Sequence, residues 1–187
     1  EEKFRFYMCQ DYAFLIEYCR VLALAAAKAR ELPDMSWFAR LLDATLNTEM
    51  ALHRSYAARF GISEAELEGA ELAPSARAYT RHLLSVAWGG ELGEIAAALL
   101  PCQWSYSEIG QKLASRGEPQ GPYAEWVRAY ASEEFAELAN WIRELVNRLA
   151  EEAAPSARRL WEEHFRASCR YEHLFWEMSW KMEGWGV

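Results

Sequence analysis

The sequence predicts an all-α fold, a single-domain multi-helix bundle, on three observations. Apolar residues recur at three- and four-residue steps along nearly the whole chain, the spacing of a buried helical face. Pro, Ser and Gly punctuate that pattern where helices would start and stop. No stretch alternates apolar and polar residues between hairpin turns, so strands have no signature. The 187 residues fit one domain, and 52% hydrophobic residues with 14% aromatics suffice for a sizeable core.

From Phe4 to Arg30, the residues Phe4, Tyr7, Met8, Leu15, Tyr18 and Leu22 trace one helical face, and Leu32-Pro33-Asp34 is expected to end it. A second helix is expected to begin after Asp34 or Ser36 and to run through Trp37, Leu41, Leu52 and Tyr56 to Phe60, with Gly61 as its stop. Ser63 with Glu66 three residues on forms a capping-box pattern for a short helix. Pro74-Ser75 opens the next helix, carrying Tyr79, His82, Leu83 and Val86 up to Gly89-Gly90. The following helix uses Leu92, Ile95, Leu99, Cys102, Tyr106, Ile109 and Leu113, which turns Cys102 inward. Pro101 lacks the N–H that the Ala97 carbonyl would accept, so a kink beside the thiol is expected. Beyond the loop at Gly117 to Pro122 come a short helix to about Tyr130 and one capped by Ser132 that runs to Leu149. Pro155-Ser156 opens the last helix, whose inner stripe reads Trp161, Phe165, Ser168, Glu172, Phe175, Ser179 and Met182.

Composition narrows the function. A formal charge of −8, with basic residues scattered singly, argues against a phosphate-binding face and so against nucleic acid. The longest apolar run, Val21 to Ala27, is far short of the roughly 20 residues that span a bilayer. Cys9, Cys19, Cys102 and Cys169 form no C-x-x-C pair, and no signal peptide precedes them, which points to a reducing cytoplasm.

Three polar or reactive residues stand where the helical period expects core: Asp11 between Tyr7 and Leu15, Cys102 between Leu99 and Tyr106, and Glu172 between Phe165 and Phe175. An unpaired buried carboxylate is costly, so each acid needs a partner. A neighbouring Tyr or Arg would serve Asp11, and Arg170 or another basic group would serve Glu172. Cys102 taken alone fits ordinary packing, since buried cysteines are mostly inert. As a set, a nucleophile, two inward acids and aromatic walls at Tyr79 and Tyr130 could line a cavity. A metal reading competes, because Glu49 and His53 stand at i and i+4 and Glu172-His173 adds a second acid and imidazole. The paired Glu-x-x-His motifs of a bundle di-iron site are missing, so His53, His82 and His164 read as surface or hydrogen-bonded histidines and no metal is expected.

These residues resemble the thiaminase II, or TenA, family of aminopyrimidine aminohydrolases, in its cysteine-containing branch. The matching segments are Phe4-Arg5-Phe6-Tyr7 through Gln10-Asp11-Tyr12, Glu17-Tyr18, and Leu52-His53-Arg54-Ser55-Tyr56 leading to Phe60-Gly61-Ile62. Further along come Tyr79-Thr80, Ala97 to Cys102 with Tyr106-Ser107-Glu108-Ile109-Gly110, and Tyr130 before Ser132-Glu133-Glu134-Phe135. Tyr171-Glu172 and Phe175-Trp176-Glu177-Met178 complete a set that runs in family order over the whole chain.

The resemblance implies a heme-oxygenase-like helical fold and a cofactor-independent hydrolase of thiamin salvage. Such an enzyme converts 4-amino-5-aminomethyl-2-methylpyrimidine to the hydroxymethyl compound and ammonia, and also cleaves thiamin slowly. It assigns Cys102 as the catalytic nucleophile and Glu172 as the acid that exchanges a proton with the pyrimidine ring. Asp11 is assigned to the 4-amino group and the adjacent ring nitrogen, with Tyr79 and Tyr130 positioning the cysteine and contacting the ring. Phe14 departs from the tyrosine common in the family, keeping the stacking surface without the hydroxyl. The family's N-terminal helix, which usually precedes the segment matching Glu1 to Phe4, is a second departure. Family members are commonly homotetramers, and tryptophans at Trp176, Trp180 and Trp185 suit either a subunit interface or a core. Two other classes stay open: a heme-oxygenase-like enzyme using a metal, heme or quinone precursor, and a non-catalytic transcriptional regulator.

Overall fold

A computed structural model describes residues 1–186. The all-α expectation holds, since every regular element among the described residues is helical. In order they are α1 (Glu2–Lys28), α2 (Leu32–Ala44), a π-helical turn (Thr45–Glu49), α3 (Met50–Arg59), α4 (Glu64–Glu68), α5 (Pro74–Gly89), α6 (Leu92–Ala114), α7 (Ala124–Tyr130), α8 (Glu133–Glu152) and α9 (Pro155–Lys181). The described residues form two compact units, one of residues 1–95 with those from 173 onward, the other of residues 96–172.

In the first unit α1 packs against α2, α3, α4 and α5. Met8, Tyr12, Tyr18 and Leu22 of α1, Phe38 of α2, Tyr56 of α3, Leu67 of α4 and Leu83 of α5 are all fully buried. Side chains tie down the backbone groups that helix ends leave orphaned. Lys28 Nζ donates to the carbonyls of Trp88 (3.0 Å) and Gly90 (2.6 Å), placing a cation at the C-terminal end of α5. At its other end the Ser75 N–H donates to the Glu183 carboxylate at 2.9 Å. Gln10 pins the loop before α5, donating to the Glu71 carbonyl at 2.9 Å and accepting from the Ala73 N–H at 2.7 Å. Ser63 and Glu66 form the expected reciprocal capping box of α4.

One boundary differs from the sequence reading. Leu32-Pro33-Asp34 does not end a helix but opens α2, with Pro33 in its first turn, while α1 stops at an extended Ala29. The stretch expected to be one helix up to Phe60 is broken into α2 and α3 by the π-helical turn, and Gly61 terminates it at φ +69°. Near the C-terminus, Trp180 and Trp185 are exposed, Lys3 lies over the Trp180 ring, and Trp176 stacks on Tyr7 with ring centroids 5.4 Å apart.

In the second unit Ala96, Ala97, Ala98, Leu99 and Leu100 are buried in succession, so this part of α6 meets protein on every side. The helix continues through Pro101. Ser132 caps α8 by accepting from the Phe135 N–H at 3.1 Å, and α8 buries Ala139, Ile142 and Leu145 on one face. The stripe expected on α9 is buried at Ser168 and Glu172 in this unit and at Phe175 and Ser179 in the other, whereas Met182 lies past the helix end and is exposed.

Candidate active site

The residues singled out by the sequence fall into two clusters, one in each unit. In the first, Asp11 sits mid-way along α1 and is buried. Its Oδ2 accepts a 2.9 Å hydrogen bond from the Tyr7 hydroxyl, one helical turn earlier, and lies 2.7 Å from His53 Nε2. Of the tyrosine or arginine expected to satisfy Asp11, the structure supplies the tyrosine, and an imidazole joins it. His53 Nδ1 is 2.9 Å from the carbonyl of Glu49, at the end of the π-helical turn. Such turns are frequent at functional sites.

Burial pulls the His53 imidazole downward. The hydrogen bond and charge of Asp11, with the charge and carbonyl of Glu49, outweigh that and hold its pKa above the ordinary 6.5. His53 is therefore a buried, hydrogen-bonded histidine and not a surface one. Phe14, one turn beyond Asp11, has its ring centroid 5.1 Å from that of Tyr79 and 5.5 Å from that of Phe175. Phe14 and Tyr79 are both buried.

In the second cluster Ser105, which the sequence reading had not singled out, places the α6 turn that carries Cys102 beside Glu172 of α9. Ser105 Oγ, on the turn of α6 after Cys102, lies 3.4 Å from the Cys102 carbonyl and 3.4 Å from Glu172 Oε2. Glu172 is buried and Cys102 half-buried, so the inward placement expected of the thiol holds only in part. Tyr130, at the end of α7, packs in an aromatic group with Tyr106 (4.9 Å between centroids), Trp126 (4.6 Å) and Phe135 (5.0 Å).

Gly110 sets that approach. A Cβ there would lie 2.4 Å from the Tyr130 carbonyl carbon and 2.6 Å from its oxygen, so only a residue without a side chain lets α6 meet the α7 backbone this closely.

The remaining thiols suit nucleophilic work poorly. Burial pushes Cys19 up to about 11 and also raises Cys9, and burial with the charge of Glu172 raises Cys169. Among the described residues no group of three or more His, Cys, Asp or Glu side chains is arranged to hold a metal ion. Both ring nitrogens of His53 already face protein oxygens.

The conserved-family profile described as TENA/THI-4/PQQC matches residues 1–182. The chain belongs to the TENA/THI-4/PQQC family. It is 45% identical to an aminopyrimidine aminohydrolase of Halalkalibacterium halodurans, over 99% of this chain and 84% of that protein. It is 35% identical to the aminopyrimidine aminohydrolase of Helicobacter pylori, over 96% of this chain and 84% of the relative. Among solved structures, a TenA family transcription regulator from Silicibacter superposes with a TM-score of 0.87 at 29% identity, over 95% of this chain and 81% of that one. A TenA homologue from Pyrococcus horikoshii superposes with a TM-score of 0.86 at 30% identity, over 96% and 83%. The TENA/THI-4/PQQC assignment thus rests on sequence and on fold independently.

Proposed function

We propose that this chain is an aminopyrimidine aminohydrolase of thiamin salvage that works through Cys102 and Glu172. It converts 4-amino-5-aminomethyl-2-methylpyrimidine and water to the hydroxymethyl compound and ammonia. The carrying observation is the Ser105 hydroxyl, which links the Cys102 turn of α6 to the Glu172 carboxyl of α9. The activity named for the relatives at 45% and 35% identity supports the same reading.

The thiolate adds to the ring carbon beside the one bearing the aminomethyl group, and the adjacent ring nitrogen takes a proton from Glu172 to receive the electron pair. Loss of ammonia from the methylene then leaves an exocyclic double bond. Water adds there, the ring nitrogen returns its proton to Glu172, and expulsion of the thiolate restores the aromatic ring. Asp11 is assigned to the 4-amino group, with Tyr79, Tyr130 and Phe14 as aromatic contacts. The reading extends to slow thiamin cleavage by the same addition, to a cytoplasmic setting and to a homotetramer. No helix among the described residues is long and apolar enough to cross a membrane.

Replacement of Cys102 by Ser tests the nucleophile. Ammonia release from the aminopyrimidine should be abolished with helical circular dichroism unchanged, and undiminished turnover would overturn the assignment.

A further inference from the structure

We propose that His53 is a positioning residue: a buried imidazolium that anchors the Asp11 carboxylate through Oδ2, keeping Oδ1 as an acceptor for an amino-bearing heterocycle. The heterocycle half of this rests on the aminohydrolase reading above, whereas the charge state of His53 does not.

Both nitrogens of the ring face acceptors. Nε2 lies 2.7 Å from a carboxylate oxygen and Nδ1 lies 2.9 Å from a backbone carbonyl oxygen. A neutral imidazole carries one N–H, so with Asp11 ionised it would set a lone pair against an oxygen at one of these contacts; the imidazolium donates to both. Side-chain exposure is only 2% for His53 and 6% for Asp11, so bulk water has little access to either group. The titratable groups acting on His53 are Asp11 from α1, which also accepts from the Tyr7 hydroxyl, and Glu49 from the turn leading into α3. The two carboxylates favour the cation, in keeping with the upward shift of His53.

The alternative is a protonated Asp11 donating to a neutral ring. It would forgo the charge-assisted bond and spend the proton where Oδ2 already accepts from Tyr7. In the ionised arrangement two donors converge on Oδ2 and stop the carboxylate from rotating, while Oδ1 takes no hydrogen bond from the described residues. A buried ion pair is costly to desolvate and is weak evidence for stability. What this one supplies is orientation. An anionic Oδ1 accepts from an exocyclic N–H and favours a ring nitrogen that carries a proton, the state in which a pyrimidine accepts a nucleophile most readily.

The test begins with the ligand-free full chain. Long-range nitrogen–proton NMR at pH 7, with the His53 signals identified by their loss in His53→Gln, should show protons on both ring nitrogens. A proton on Nδ1 alone would overturn the proposal. In steady-state assays with the aminopyrimidine, His53→Gln keeps a donor for Asp11 but removes the charge, and KM should rise about tenfold with kcat changed less than threefold. Unchanged KM, or a kcat collapse at constant KM, would refute positioning. If His53→Gln does not fold, Tyr7→Phe removes only the second donor on Oδ2 and should raise KM severalfold, and an unchanged KM would refute it equally. Because the NMR readout needs no substrate, failure of the Cys102 test and failure of this one are separate results.

Discussion

Replacing Gly110 by Ala sets two opposing effects against each other, and the structure decides which wins. The added Cβ would stand 2.4 Å from the Tyr130 carbonyl carbon and 2.7 Å from the Ala131 nitrogen, where ordinary contact begins at 3.4 Å. All the atoms met are backbone, so the end of α7 must retreat by about 1 Å and carry with it the aromatic group around Tyr130. Overpacking of that kind costs about 1 to 3 kcal/mol, and rigid backbone puts this case at the upper end. Ala in place of a helical Gly returns about 1 kcal/mol. The net loss is then about 2 kcal/mol, which for a chain of this size lowers Tm by about 4 to 8 °C. Gly89 is the control, because it lies within α5 and a Cβ there meets nothing within 4 Å. Gly89→Ala should raise Tm by a degree or more, since the propensity gain of about 0.5 to 1 kcal/mol is unopposed. Thermal unfolding of the three proteins followed by circular dichroism at one pH gives the comparison. If Gly110→Ala melts with or above the wild type, the close approach of α6 to α7 is not what requires glycine.

Two further outcomes follow from the second cluster and from the buried thiols. Ser105→Ala should lower kcat severalfold with KM nearly unchanged, because a single hydrogen bond of about 1 kcal/mol to the Glu172 carboxyl is lost, while Ser105→Thr, which keeps the hydroxyl, should retain activity; steady-state kinetics of the pair checks this. Iodoacetamide at pH 8 followed by peptide mass mapping should leave Cys19 unmodified in the folded chain, since the thiol is buried and pushed up to about 11, and should label it once the chain is unfolded.

Helix punctuation was legible wherever a residue type has one mechanical meaning. Gly61, the Ser63 and Glu66 box, Pro74, Ser132 and Pro155 all stand at the ends expected of them, because each acts through its own backbone or its nearest turn. Pro33 was misread because proline both stops a preceding helix and opens a following one, and local sequence does not say which. The π-helical turn left no signal, since it consists of a shifted backbone hydrogen-bonding step and not of a residue preference. Asp11 was legible as a buried acid needing a tyrosine or an arginine, and Tyr7 lies one turn away on the same helix.

The partner that changes the chemistry of Asp11 is another matter, for His53 is 42 residues distant in sequence and its Glu49 neighbour had suggested a metal pair instead. Ser105 likewise reaches Glu172 across 67 residues. What the sequence determined by itself was the class of fold, most of the helix ends and the inward acids, all properties of local period and residue type, with the family legible through resemblance. Only tertiary structure decided that His53 lies between two acceptor oxygens, that the Ser105 hydroxyl lies within reach of Glu172, and that Gly110 is a point of backbone contact. Each depends on distances between segments remote in the chain, and no local periodicity encodes a distance of that kind.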